Sequence, residues 1–214
     1  MGVFVDAVRY IAANSDRFLE ALGIHVGLAL AALGLGVLIG VPLGIWAARS
    51  RIVSRVSLNV LGVLRVVPSL AVLVLVFPYL GLGFRTALVA LTVLAAPPVL
   101  INTYVAYRDV DPAVVEAAVG MGMTRGQILR WIETPLALPV VLTGVRTAAG
   151  EVVASATLAA FIGGGGMGEF IVNGLAVNNV ALLLVGAVPV AALALLFEGV
   201  LAVPEHLARR RVTS

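Results

Sequence analysis

No Asp, Glu, Lys or Arg lies between Ile24 and Ala48, and most residues there are apolar. About 20 such residues are enough to carry a helix across the hydrocarbon core of a bilayer. No water reaches peptide groups at that depth, so the backbone has to close its hydrogen bonds internally. Four further apolar runs follow at about 56–79, 86–107, 136–162 and 180–203. The expected fold class is therefore all-α and polytopic, with about five transmembrane helices. Only 12% of the chain is charged and 61% is hydrophobic, whereas soluble domains carry about 25% charged residues.

The runs carry their own punctuation. Residues 1–22 are too charged to span, with Asp6, Arg9, Asp16, Arg17 and Glu20, yet Val5, Val8, Ile11, Phe18 and Leu22 recur at helical spacing. That pattern predicts an amphipathic interfacial helix. In the first span Gly36, Gly40 and Gly44 form a stripe of small residues. Such a stripe either admits a neighbouring helix closely or is simply tolerated in lipid. The second span holds Arg65 and a Pro68-Ser69 kink in its interior, and Pro97-Pro98 breaks the third. After the fourth span, Gly163 to Gly166 leads into MGEFIVNGLAVNN, either a short helix at or in the membrane surface or a flexible linker. The fifth span ends at Pro204, leaving a basic tail over 205–214.

Between the third and fourth spans stands the longest polar interval, Asp111 to Pro139. Asp111 is suited to cap a helix, and Pro112 to its first position, where a missing N–H loses nothing. Gly120 and Gly122 interrupt that helix. Thr124 with Gln127 three positions later is a capping-box pattern that starts a second one, which is expected to stop before Pro135. The interval reads as helix, glycine turn, helix.

Glu116-Ala117-Ala118, three residues, Gly122, nine residues, Ile132, one residue, Thr134 and Pro135 resemble the EAA loop of permease subunits of bacterial ATP-binding-cassette importers. Thr134 stands where the family usually has Leu. LRVVPSLAVL, NTYVAYRDVDPAVVEAAVGMGMT and GVRTAA with ATLAAFIGGGGMG are most similar to the osmoprotectant branch, which imports glycine betaine, carnitine and choline. Methionine-type amino-acid permeases are the nearest alternative. The resemblance implies a type I importer permease fold, with a transmembrane domain over 23–204 and a cytoplasmic EAA loop over 108–135. It also implies a homodimer, two ATPase subunits and an extracytoplasmic solute-binding protein. Glu116, Ala117, Ala118, Gly120, Met121, Gly122, Met123 and Pro135 would couple to the ATPase. On that reading the adjacent alanines offer a flat docking surface, Glu116 accepts hydrogen bonds, and the two methionines adapt to an apolar partner.

The residues themselves narrow the function. All 14 basic residues are arginine, so no Gly-rich phosphate loop ending in Lys exists here. ATP and Mg would belong to a partner, and this chain is expected to be no enzyme and to hold no cofactor or metal. Cysteine is absent, His25 and His206 are far apart, and no Gly-x-Ser-x-Gly occurs. That weakens a membrane-embedded enzyme; a passive channel or structural subunit is the other rival, and ATPase dependence would separate it. Nine arginines (49, 51, 55, 108, 125, 130 and 209–211) share one side of a five-span layout, against Arg9, Arg17 and Arg85 opposite. The arginine-rich side is expected in the cytoplasm, so the N-terminus lies outside and the C-terminus inside. Membrane orientation accounts for the charge of +3 without nucleic acid. Candidate residues for a solute path are Arg65, Pro68, Ser69, Arg146 and Glu151, the charged and kinking residues within spans. Arg146 and Glu151 are five apart, which puts them on different helix faces and about 7 Å apart in depth. Glu151 then either holds helices together or attracts a cationic solute in the outer half of the path.

Overall fold

The computed structural model describes residues 2–55 and 67–213, and every regular element among them is helical. α1 is Gly2–Ala13, α2 Ser15–Arg49, α3 Ser69–Leu80, α4 Phe84–Arg108 and α5 Pro112–Gly120. A single helical turn, Arg125–Gln127, and a π-helix, Ile128–Glu133, lead into α6, Thr134–Ser155. A 3-10 helix, Ala156–Ile162, follows, then α7, Gly168–Ala176, and α8, Val180–Thr213. Among the described residues, four helical runs are long and apolar enough to cross a membrane: Ser15–Arg49, Phe84–Arg108, Arg125–Ile162 and Val180–Arg210. Part of the span expected at 56–79, with Arg65, lies outside the described residues. Its described part, α3, has 12 residues.

α4 is the hub, with α2 packed on one side and α6 on another, while α8 lies against α6 and α7. The glycine stripe makes the first of these contacts. A Cβ on Gly36 would fall 2.5 Å from Cβ of Ala95, one on Gly40 2.9 Å from Val99 Cγ1, and one on Gly44 2.6 Å from Thr103 Cβ. Those glycines are therefore contact residues. Packing matters here because lipid tails are as apolar as leucine, and helices in a membrane gain little from hiding apolar surface. His25 on α2 is 1% exposed and its Nε2–H donates to the Val153 carbonyl at 3.1 Å, tying α2 to α6. Leu38, Leu195 and Val200 remain exposed, as a lipid-facing exterior requires.

Prolines act differently from the sequence expectation in four places. Pro68 is extended (φ −58°, ψ 139°) and caps the start of α3, so Pro68-Ser69 is a helix boundary instead of a kink within a helix. Its carbonyl accepts from the N–H groups of Ala71 and Val72 at 2.8 and 3.2 Å. α4 runs unbroken through Pro97 and Pro98. α8 passes Pro204 and continues to Thr213. A proline removes one intrahelical bond, and beyond Pro204 side-chain bonds from Glu205 to Arg146 and Arg209 hold the helix on course. The fourth case, Pro135, belongs to the glycine turn.

The amphipathic helix expected over 1–22 divides at Asn14 (φ −131°, ψ 41°), and residues 15–22 are the first turns of α2. α1 is anchored near α7 by Tyr10, which meets the Phe170 ring edge-on at 6.1 Å. Arg17 lies over the same ring at 5.5 Å. Phe170 and Met167 are buried, so the segment after the glycine run is a packed helix and not a loose linker.

Candidate functional site

The helix–turn–helix forms as its residues dictate. The Asp111 side chain accepts the Ala113 N–H at 2.9 Å, with Pro112 in the first turn of α5. At the other end the Met123 N–H reaches the Ala118 carbonyl (3.2 Å) and the Gly122 N–H reaches Val119 (2.9 Å). These are the two bonds of a Schellman motif, which needs a left-handed residue at Gly122, here at φ +81°. The capping box is complete: the Thr124 N–H donates to Gln127 Oε1 (2.7 Å) and the Gln127 N–H to Thr124 Oγ1 (3.4 Å).

The second helix does not stop before Pro135. It widens into the π-helix and passes directly into α6, with Pro135 in the first turn of the new helix. Thr134 makes the passage: its N–H and its Oγ1 both reach the Leu129 carbonyl, the side chain at 2.7 Å. Thr134 Oγ1 also lies 2.9 Å from the Tyr107 hydroxyl on α4. A leucine would keep the N–H bond and lose both hydroxyl bonds, so the threonine gives this departure from the family pattern a structural use. Arg49, at the end of α2, pairs with Glu133 in the π-helix. The turn is thus fastened to both the first described span and α4.

This packing sorts the residues singled out in sequence. Ala118 is 1% exposed and, like Ile128, lies buried beneath the turn, unlike its neighbour Ala117. Glu116, Ala117, Gly120, Met121, Gly122 and Pro135 are exposed and Met123 is half-buried. Met121 is 73% and Trp131 60% exposed, and Val119 joins them as an apolar residue left in the open. Val119 and Trp131 went unnoticed in sequence because nothing in the pattern separates an exposed apolar residue of a short helix from a buried one. A cleft of about 450 Å³ lies beside the turn, lined by Arg49, Val115, Val119, Arg125, Ile128 and Glu133.

A second cavity, of about 370 Å³, opens where α3, α4 and α6 meet. Ser69, Glu151 and Ser155 supply its polar side chains, with Val67 and Leu94 among its apolar ones. Pro97 and Pro98 leave the carbonyls of Val93 and Leu94 without their intrahelical donors, and all four residues line the same space. Ser69 and Glu151 are therefore brought together, with Pro68 next to Ser69 in the chain. Arg146 turns elsewhere. Its Nε lies 3.0 Å from Glu198 and its Nη1 2.8 Å from Glu205, both on α8. Sequence spacing along one helix gave no signal for that crossing.

The family described as binding-protein-dependent transport system inner membrane component matches residues 40–210. The carnitine transport permease protein OpuCB of Listeria monocytogenes is 41% identical over 191 residues, covering 89% of this chain and 88% of its own length. The choline transport system permease protein OpuBB of Bacillus subtilis (strain 168) is 38% identical, covering 93% and 92%. A glycine betaine/carnitine/choline permease protein, OpuCB of the same strain, is 37% identical, covering 92% and 91%. Among solved structures, the inward-facing MetNI methionine ABC transporter superposes with a TM-score of 0.82 at 21% identity, covering 92% of this chain and 98% of that one. An amino acid ABC transporter with histidines reaches 0.75, also at 21% identity, covering 95% and 97%.

Proposed function

This chain belongs to the family of binding-protein-dependent transport system inner membrane components, and on that premise we propose that it carries quaternary-ammonium osmoprotectants. It is the multi-pass permease subunit of an ATP-binding-cassette importer, working with an ATPase and a solute-binding protein. Its proposed solutes are glycine betaine, carnitine and choline. The observation that carries this reading is near-full-length similarity to permeases named for those solutes. The methionine and amino-acid transporters are alike in fold at 21% identity, which gives no reason to prefer an amino acid.

The assembly we propose has two copies of this chain and two ATPase subunits, with the arginine-rich end in the cytoplasm and the N-terminus outside. The ATPase docks on the glycine turn. Glu116, Ala117 and Met121 meet it directly; Gly120, Gly122 and Met123 shape the turn, and Pro135 sets its junction with α6. An exposed apolar group rimmed by polar residues is what a docking surface requires, and Val119, Met121 and Trp131 fit that need. The solute path runs by Ser69 and Glu151. A carboxylate in a wet cavity between spans suits a cationic head group, whereas one turned to lipid would be strongly destabilising.

The test is uptake by vesicles holding the chain with its partner ATPase and solute-binding protein. Labelled betaine, choline or carnitine should enter with ATP hydrolysis, and unlabelled methionine should not compete. Uptake of methionine alone would overturn the solute; uptake without the ATPase would overturn the importer.

A further inference from the structure

The last helix is held to α6 by a buried carboxylate. Glu205 is 3% exposed, and both of its oxygens are engaged. Oε1 accepts from Thr143 Oγ1 (3.0 Å) and from Arg209 Nε and Nη2 (3.1 and 2.9 Å). Oε2 accepts from Arg146 Nη1 at 2.8 Å. Through Nε, Arg146 also reaches Glu198 at 3.0 Å, so one arginine on α6 grips α8 at two points about two turns apart. The remaining contact between these helices is largely apolar, and in lipid apolar contact alone sets register weakly. Parting the helices would leave the buried Glu205 carboxylate without its Arg146 partner, which is costly.

Arg146 is also mechanically connected to the glycine turn. From Arg125 to Ile162 the chain is one continuous helical run, and Arg146 lies about 18 Å along it from Thr134 at 1.5 Å per residue. We propose that Glu205 and Arg146 are positioning residues of the transport stroke. They lock α8 to α6, so that a displacement of the turn is delivered to both helices as a single lever. This rests on the reading of the turn as the ATPase-docking element. On that reading α8 never contacts the ATPase through this clamp, yet its movement depends on it.

The absence of cysteine from the chain allows a clean test. Glu205→Gln keeps the shape and the Thr143 bond while removing the charge. Arg146→Cys with Glu205→Cys removes the clamp and lets a short bifunctional thiol reagent rebuild it. Both variants should reach the membrane, and both should move about tenfold less solute per ATP hydrolysed than the parent. Bridging the two cysteines should restore most of that ratio. A parental ratio in Glu205→Gln, or a bridged pair that stays blocked, overturns the lever. Loss of both variants from the membrane also overturns it, because Glu205 would then act in folding alone. The parental protein in the same vesicles checks the importer reading separately. If it takes up no solute, the docking premise fails whatever the variants do.

Discussion

Gly122 shows how much one residue decides. Nothing lies within 4 Å of a Cβ built there, so space is no obstacle; the left-handed backbone at φ +81° is the whole constraint. Gly122→Ala should loosen the turn by about 1–2 kcal/mol, visible as faster amide exchange across 118–124 and weaker solute-stimulated ATPase activity, with the spans intact. Exchange and activity equal to the parent would refute that role. Glu151 is read by a different logic, from its place in the cavity with Ser69 and Ser155. Glu151→Gln preserves shape and removes the charge. Transport of a cationic solute should fall while affinity of the binding protein for it is unchanged; unaltered transport kinetics would leave Glu151 a structural role only. At this scale the sequence was informative wherever a bond is local. The Asp111 cap, the Thr124–Gln127 box and the Gly122 turn each involve residues within five positions of one another. The pairs Arg146–Glu205 and Arg49–Glu133 join distant positions, and no periodicity encodes them.

Among the elements, α2 and α4 depend most on small side chains. A leucine at Gly40 has to displace Val99, whose Cγ1 lies 2.9 Å from the first added carbon, with the Ala96 carbonyl at 3.2 Å. Overpacking of this sort disfavours a fold by about 1–3 kcal/mol. We expect Gly40→Leu to lower the thermal midpoint of the purified protein and its yield, and Gly34→Leu, where a Cβ meets nothing within 4 Å, to do neither. Equal losses in the two would mean that glycine content, and not contact, is what matters. Element ends were the least legible part of the sequence. Five prolines were read as stops, breaks or kinks, and none sits that way: Pro68 begins a helix, while those at 97, 98, 135 and 204 lie inside helical runs. In a soluble helix an unpaired carbonyl turns to water. Within a membrane, neighbouring helices, hydroxyl groups or ordered water take its place, and a single sequence does not say which neighbours those are.

For the whole molecule, the fold class was plain from the chain alone, because length and hydropathy are properties of segments and not of contacts; of the five spans expected, four are long and apolar enough to cross a membrane among the described residues. Orientation rests on the arginines and has its own test. Ala13 and Val177 are exposed near one end of the bundle, and Gly126 is exposed in the glycine turn at the other. A thiol reagent that cannot cross the membrane should label Ala13→Cys and Val177→Cys in intact cells. It should label Gly126→Cys only after the cells are opened. Labelling of Gly126→Cys from outside would invert the topology and put the turn out of reach of an ATPase.

The π-helix between the turn and α6 sets an angular phase. A π turn takes one residue more than an α turn, so the segment 128–133 fixes the azimuth at which the exposed face of α5 is presented relative to the buried face of α6. Inserting one alanine just beyond it, between Leu136 and Ala137, would keep the π turn and swing the docking face by roughly 100° about the span axis. Every residue of the turn and every residue of α6 would still be present, each half folded, and the importer should nonetheless fall silent. An insertion variant that transported normally would show that the partner tolerates any azimuth. Spacing at this junction is thus a functional quantity in its own right, separate from the identity of the residues that fill it.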